Sequence, residues 1–424
     1  SVEQAEKIRE KYNLHEIQGK GIPSKLITVI SIIGALLVGA GVILFIASNW
    51  QIIPKPLRLG IIFGTIFTVN HLGYYLKYTR GSYPKTGSAL LLLGSLLFGG
   101  GIWLVAQTYH ITSRYHSGIL FWSLGIIPVS WLLGLETILF LSSFLLAFWT
   151  IWKSIDFSVP NYFYLVLMLS IILPLCYRQK VKVALFISLI GISLWFAFGP
   201  CLSYFKESIL LIVPCFIGVG VFLYSVGLFH SLFEKITEYQ SIYKFLGVFI
   251  LYVFIYILSF KEVAQEMTRL IIKPLPSSFW YILGIPSLLS IGAILSIFRL
   301  TREKSQNFSR LLNYEIAIII FFLLFPILIL ILPNITFYAI FSNLILLVLT
   351  IGVIFLGYHN EKAFFVNLGF IFFGIHFLTR YIDWGYKYLP RSLFFIITGI
   401  ILILIATFME KQRRKLIKAI RKER

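Results

Sequence analysis

Polar side chains gather at the ends of two apolar segments near the start of the chain. Asn49 and Trp50 follow the first apolar segment, and Gln107, Tyr109 and His110 close the third. Amide, phenol and imidazole groups bind polar ligands through hydrogen bonds, and imidazole also exchanges protons near neutral pH. These ends are therefore a candidate binding surface, with interfacial anchoring and helix capping as the alternative interpretation.

Charged residues extend this candidate site. Arg114 precedes the fourth apolar segment, and Arg380 and Asp383 follow the thirteenth. If the three ends converge, these side chains form a polar pocket at the non-cytoplasmic face, with an Arg–Asp pair inside it. Polar groups at bilayer depth are costly and usually have partners or a function, which favours a binding site here.

Two Gly-rich segments, at 33–44 and 93–104, carry glycines in matching order. Small residues let helix backbones approach closely inside membranes. We expect these two helices to pack tightly, either against each other or each against its neighbour. A hinge or sliding surface in a transporter is the functional alternative. The matching pairs are Gly34 with Gly94, Gly39 with Gly99, and Gly41 with Gly101.

Single polar residues also lie inside apolar segments. His71 and Asn343 are the clearest cases. A buried imidazole can bind a proton, a metal or a ligand, but a polar group within a helix bundle more often bonds to a neighbouring helix. We expect interhelical hydrogen bonds from both residues.

The common catalytic motifs are absent from the sequence. It contains no Walker P-loop, HExxH, GxSxG or CxxC pattern, and its three cysteines are scattered. Acidic residues are scarce inside the apolar segments, which argues against a carboxylate-driven ion pump and a metal-dependent phosphotransferase. We expect no catalytic residues, no metal and no cofactor, so a non-enzymatic function is favoured.

Composition defines the class of protein. The 424 residues are 58% hydrophobic and only 13% charged, whereas about a quarter of a soluble globular chain is charged. Apolar runs of roughly 18 residues or more recur along the whole length, as in transmembrane helices. The sequence therefore predicts an all-α, polytopic transmembrane helix bundle.

Fourteen segments are candidate spans, and the short ones make twelve to fourteen the expected range. They lie at 25–48, 57–77, 84–109, 116–134, 136–152, 162–177, 181–198, 207–230, 242–260, 279–298, 314–332, 336–357, 361–381 and 389–410.

The spans suggest four regions. A cytoplasmic amphipathic helix at 1–24, without a cleavable signal peptide, precedes a Gly-repeat membrane domain of about five spans at 25–152. A second membrane region of about nine spans covers 153–410, and a basic cytoplasmic tail covers 411–424.

Basic residues set the expected orientation. The net charge is +20, and most Lys and Arg residues fall on one side if the N-terminus and C-terminus are both cytoplasmic. The tail at 411–424 is expected to contact anionic lipid headgroups. It has no aromatic platform for stacking bases, so nucleic acid is not an expected partner.

Three pieces of the chain resemble a known family. Residues 39–50 end in Ala-Ser-Asn-Trp, residues 93–111 end in Gln-Thr-Tyr-His-Ile, and residues 3–12 open with Glu-Gln-Ala-Glu-Lys. Together they resemble a bacterial family of predicted membrane proteins, domain of unknown function 2157, over roughly residues 1–150. The resemblance implies a multi-pass protein of the bacterial inner membrane and brings no established activity.

Three functions follow from these features. A transporter or flippase of a small or lipid-linked substrate is favoured, because many spans occur without a soluble domain. The alternative is a non-transporting scaffold or sensor that binds a membrane protein partner in an envelope complex. An intramembrane enzyme that uses His110, Arg114, Arg380 and Asp383 is the least favoured, because the short outer loops offer little to hold two substrates.

Overall fold

The computed structural model describes residues 24–49, 53–111, 115–205, 208–303, 310–331, 334–359, 361–388 and 391–422. Every regular element within these ranges is helical. The α-helices are α1 Ser24–Asn49, α2 Lys55–Tyr74, α3 Pro84–Thr108, α4 Tyr115–Leu133, α5 Glu136–Phe157, α6 Tyr162–Leu167, α7 Leu173–Arg178, α8 Lys182–Phe196, α9 Leu202–Tyr204, α10 Ile212–Ser231, α11 Gln240–Leu258, α12 Lys261–Ile272, α13 Ser277–Glu303, α14 Arg310–Ile331, α15 Ile335–His359, α16 Ala363–Tyr388 and α17 Arg391–Lys422.

Short irregular turns interrupt or extend these helices. Single π-helical turns follow α2, join α6 to α7 and follow α8, and 3-10 turns precede α10 and α11. They lie at Tyr75–Thr79, Met168–Ile172, Ala197–Cys201, Ile209–Leu211 and Thr237–Tyr239.

The helices confirm the predicted class of protein. Within the described residues, eleven helices are long and apolar enough to cross a membrane by length and composition, and Val29–Gly41 and Tyr162–Arg178 are shorter apolar stretches. Within the described residues, each of the fourteen predicted segments overlaps a helix. The chain is therefore an all-helical, multi-pass membrane protein. The cytoplasmic placement of its termini stays a prediction, and the amphipathic helix predicted at 1–24 falls almost entirely outside the described residues.

The segment between two of the predicted spans, 242–260 and 279–298, is partly helical. Within it, α12 occupies Lys261–Ile272. Ala264 and Met267 are buried on one face, whereas Glu262 and Arg269 are exposed on the other. This helix packs against α15, and its 12 residues are too few to cross a bilayer.

The described chain divides into two compact units. One contains the described residues within 24–157 and 161–192, and the other contains those within 158–160 and 193–422. In the first unit α3 is the central helix, because it packs against α1, α2, α4 and α5. This places the second Gly-rich segment in the interior of its unit.

The matching glycines have different surroundings. A methyl group at Gly94 would overlap the amide of Asn70, and one at Gly99 would overlap the indole of Trp122. That indole is fixed, because Trp122 Nε1 donates a hydrogen bond to Ser95 O at 2.8 Å.

The first copy is looser, although α1 packs against α3. A methyl group added at Gly39 would lie 2.8 Å from Leu93 Cδ1, which is the end of a flexible side chain. At Gly34 and Gly41 an added methyl group would have nothing within 4 Å. The repeated spacing therefore does not give equivalent packing.

The second unit is built around α10. This helix packs against α11, α13 and α14, and α15 and α16 complete the bundle. Glycines allow α10 and α11 to meet backbone to backbone, since a methyl group at Gly247 would lie 2.7 Å from Gly220 O. The bundle brings the end of α11 together with parts of α15 and α16, and a group of polar residues lies there.

Gly99→Ala should destabilise the protein. The added methyl group overlaps a hydrogen-bonded Trp122 ring, and overpacking of this kind costs about 1–3 kcal/mol. Gly41→Ala is the matched control, because its methyl group meets nothing within 4 Å and alanine raises helix propensity by up to ~1 kcal/mol. Unfolding by SDS titration in mixed micelles measures both. Equal stability of the two variants would contradict the packing described here.

Candidate functional site

A polar cluster lies where α11 ends and where α15 and α16 pass it. We define the arginine pocket by Ser259, Asn343, His376, Arg380 and Asp383, which all line one cavity. Ser259 directly follows α11, Asn343 lies in the third turn of α15, and the other three lie in the second half of α16. Parts of three helices, α11, α15 and α16, thus converge at this cavity.

Arg380 is the central residue of the pocket. Only 9% of the residue is exposed. Its Nη2 donates a hydrogen bond to Ser259 Oγ, and its Nη1 lies 3.6 Å from Asp383 Oδ2. The guanidinium also lies 4.3 Å from the ring centre of Phe260, a cation–π geometry.

Ser259 connects the three helices. Its Oγ donates to Tyr256 O at 2.6 Å and accepts from Arg380 of α16. Its carbonyl oxygen accepts from Asn343 Nδ2 at 3.2 Å. The last bond confirms the interhelical hydrogen bond predicted for Asn343.

Several polar atoms of the pocket have no hydrogen-bond partner among the described residues. They are Asn343 Oδ1, His376 Nδ1 and Arg380 Nε. A buried polar atom without a partner costs about 1–3 kcal/mol. Three such atoms on residues that line one cavity make it a candidate binding site.

The cavity is large and mostly apolar. Its volume is about 760 Å³, which lies within the usual range of ligand pockets. Beyond the polar cluster it is lined by aliphatic and aromatic side chains, and Ile340 and Leu344 are 66% and 56% exposed. In a membrane protein such side chains face the lipid, so the cavity joins a charged site to the hydrocarbon region.

Electrostatics favour an anionic ligand. The charged residues of the lining are Lys261, Arg380 and Asp383, so one positive charge is in excess. Glu262, exposed at the start of α12, acts on Arg380 more weakly than Asp383 does. Arginine presents a planar fork of donors that matches carboxylate and phosphate groups.

The described hydrogen bonds of the Ser259 hydroxyl join it to the carbonyl oxygen of Tyr256 and to the Arg380 guanidinium, so they do not form the pair of nucleophile and general base that nucleophilic catalysis requires. Among the described residues, no group of three His, Cys, Asp or Glu side chains could hold a metal ion.

The predicted rim near the start of the chain lies in the other unit. Gln107 is the second-last residue of α3, and Tyr109 and His110 directly follow the helix. All three residues are exposed. Asn49 is the last residue of α1, but its side chain is not among the described parts of the structure. Trp50 and Arg114 lie outside the described residues. Convergence of this rim with Arg380 stays a prediction.

His110 has a structural role. Its φ of 53° is left-handed, its N–H donates to Gln107 O at 3.4 Å, and the N–H of Ile111 donates to Ala106 O at 2.9 Å. These two bonds form the Schellman motif that ends a helix, with histidine where glycine is usual. The helix-capping alternative therefore accounts for the backbone of this residue.

His71 was expected to bond to a neighbouring helix. It is exposed on α2, and its ring stacks on Phe67 of the same helix at 5.9 Å between centroids. Among its described contacts, His71 touches no other candidate ligand-binding residue.

Sequence reasoning missed Ser259 and Tyr256. The hydroxyl of Tyr256 donates to Thr379 Oγ1 at 2.6 Å, which fixes α11 against α16 beside Arg380. Serine and tyrosine are common in apolar helices, so neither stands out by type. The available signal was Arg380 itself, a charged residue near the end of an apolar segment.

A multi-pass, all-helical membrane protein with a polar cavity at helix ends is the class that these observations define. Residues 1–139 match the model of a family of predicted membrane proteins, domain of unknown function 2157. The match covers the part of the chain where the resemblance was found. No curated protein and no solved structure is significantly similar to the chain.

Ser259→Ala should destabilise the protein by about 1–3 kcal/mol, because it removes the buried partner of the Arg380 guanidinium. Ser296→Ala is the matched control, since Ser296 is exposed and bonds only to Gly292 O of its own helix. Its effect should stay within about 0.5 kcal/mol. SDS titration measures both, and a Ser259→Ala variant as stable as the control would show that Arg380 does not depend on this bond.

Proposed function

We propose that this chain is a transporter or flippase of the bacterial inner membrane, with the arginine pocket as the binding site for an anionic, lipid-linked substrate. The observation that carries the proposal is a buried arginine with an unpartnered Nε on the wall of a cavity with exposed apolar sides.

The charge of the pocket selects the polar end of the substrate. Arg380 has Ser259 as a neutral partner and Asp383 at 3.6 Å, so its fork of donors is not fully occupied. A phosphate or carboxylate accepts two parallel hydrogen bonds from such a fork. Asn343 Oδ1 and His376 Nδ1, both unpartnered, add contacts for a polar headgroup.

The apolar wall selects the other end. Ile340, Leu344 and Phe377 line the cavity and are exposed. A soluble ion gains nothing from such a wall, whereas an acyl or polyprenyl chain buries apolar surface there, at about 25 cal/mol for each Å². An amphiphile with an anionic head fits both parts of the cavity.

A scaffold function is the second candidate, and α17 supports it. This helix has 32 residues and a length of about 48 Å, which exceeds the roughly 30 Å hydrocarbon core. Its basic end therefore extends beyond the membrane, where a protein partner or anionic headgroups can bind.

Native mass spectrometry of the full chain from nanodiscs of phosphatidylglycerol and phosphatidylcholine tests the binding site. The wild type should retain phosphatidylglycerol, and Arg380→Gln should lose most of it, because the donor fork is gone. Arg269→Gln is the control, since Arg269 also pairs with a carboxylate, Glu266 at 3.2 Å, but is exposed. Equal retention by the two variants would contradict the arginine pocket as the site.

Transport needs its own measurement. Proteoliposomes that contain a fluorescent phosphatidylglycerol analogue should allow more than half of the label to be reduced by external dithionite, because lipid from the inner leaflet reaches the surface. Arg380→Gln should lower this fraction and Arg269→Gln should not. Lipid retention without movement, together with a protein partner that co-purifies, would favour the scaffold instead.

A further inference from the structure

A second group of buried charges lies at the opposite end of the helices that form the arginine pocket. We define the lysine cluster by Ser241, Lys244, Glu315 and Lys362. Ser241 and Lys244 begin α11, Glu315 lies near the start of α14, and Lys362 lies in the turn between α15 and α16. Along α11, Lys244 is about 22 Å from Ser259, so the two sites are distinct.

Glu315 and Lys244 form a complete ion pair. Lys244 Nζ lies 2.8 Å from Glu315 Oε2 and 3.1 Å from Oε1, and Glu315 is only 5% exposed. The ammonium also lies 5.6 Å from the ring centre of Tyr224. The carboxylate is therefore neutralised without any contribution from Lys362.

Lys362 is held in the cluster by its backbone. Glu361 has a φ of 53°, its N–H donates to Tyr358 O at 3.1 Å, and the N–H of Lys362 donates to Gly357 O at 2.8 Å. This Schellman motif ends α15. It fixes the point from which the Lys362 side chain starts.

The side chain of Lys362 has a neutral partner. Its Nζ donates to Ser241 Oγ at 2.7 Å, which uses one of the three donors of an ammonium group. Burial lowers the pKa of Lys362, the charge of Lys244 lowers it further, and Glu315 opposes both effects. The fold thus places a second ammonium group in a partly buried position that costs free energy.

A small cavity opens onto both ammonium groups. Its volume is about 220 Å³, and its lining residues with polar or charged groups are Tyr224, Gln240, Lys244, Glu315 and Lys362. Two ammonium groups face one carboxylate, so one positive charge is in excess. Lysine and glutamine donors around a cavity of this size suit a tetrahedral oxyanion.

We propose that the lysine cluster binds a phosphate group, with Lys362 as the principal contact and Gln240 and Lys244 beside it. The phosphate group is that of free phosphate or of a lipid headgroup. A purely structural ion pair needs only Lys244 and Glu315, and it gives no reason for a second ammonium group in the same cavity. The proposal does not depend on the function proposed for the arginine pocket.

Thermal unfolding of the full chain in detergent, with inorganic phosphate against chloride at equal ionic strength, tests the free anion. Phosphate should raise the unfolding temperature of the wild type, since a ligand that binds only the folded state stabilises it. Lys362→Gln should bind phosphate at least about tenfold more weakly, because a charge-assisted hydrogen bond is lost. Lys235→Gln, at an exposed lysine, should respond as the wild type does.

Native mass spectrometry from phosphatidylglycerol nanodiscs tests the lipid source. A headgroup at this site appears as one retained lipid that Lys362→Gln loses and Arg380→Gln keeps. A retained lipid that Arg380→Gln loses and Lys362→Gln keeps would be bound in the arginine pocket instead. Each proposal can therefore be contradicted without the other.

Two further variants protect the test against a folding defect. Lys362→Arg keeps the positive charge and should restore the phosphate response, and Ser241→Ala removes only the neutral partner and should retain it. A wild type that responds to neither inorganic phosphate nor phosphatidylglycerol would overturn the proposal, as would an equal response from the wild type and Lys362→Gln.

Discussion

Inside a membrane, water is not present to bond to polar groups, so each of them needs a partner within the protein. Helices meet this requirement for the backbone. In this chain, small hydroxyl side chains meet it by bonding to the backbone of their own helix. Ser142, Ser188 and Ser225 are buried, and each bonds to the carbonyl four residues earlier in its own helix. Longer polar side chains carry more donors and acceptors than one such carbonyl can satisfy; Asn343, for example, bonds to Ala339 O of its own helix and also to Ser259 O. In the second unit, several of these side chains meet near the ends of the helices. Both candidate sites follow from this constraint.

The two sites meet the same constraint differently. In the lysine cluster the carboxylate of Glu315 has close partners, and the cavity is small. In the arginine pocket the cavity is over three times as large, and three polar atoms lack partners. Buried polar atoms without partners favour the binding of a ligand that supplies the missing hydrogen bonds. A large cavity with an apolar wall suits an amphiphile, whereas the small one suits a compact anion.

Hydropathy predicts the helices because each must contain enough apolar residues to cross the bilayer. It does not predict which side chains meet. Lys244 and Glu315 are separated by 71 positions, and Ser259 and Arg380 by 121, so only the packed bundle reveals these pairs. The glycines show the same limit. Gly41 and Gly101 hold matching positions in sequence, but an added methyl group meets nothing at Gly41 and meets Ile62 Cγ2 at 2.9 Å at Gly101. The neighbouring helix decides the role of each glycine.

Arginines paired with a carboxylate three residues away occur at three places in the described chain, and the environment separates them. Arg269 and Arg413 lie 3.2 and 2.8 Å from their carboxylates, and both are at least one-third exposed. Arg380 is the most buried of the three, yet it has the longest separation, 3.6 Å. Burial strengthens the attraction between charges, so a structural pair would be closest here. The guanidinium instead donates to neutral Ser259 and keeps Nε unpartnered. This geometry leaves Arg380 able to bind an anion that enters the cavity.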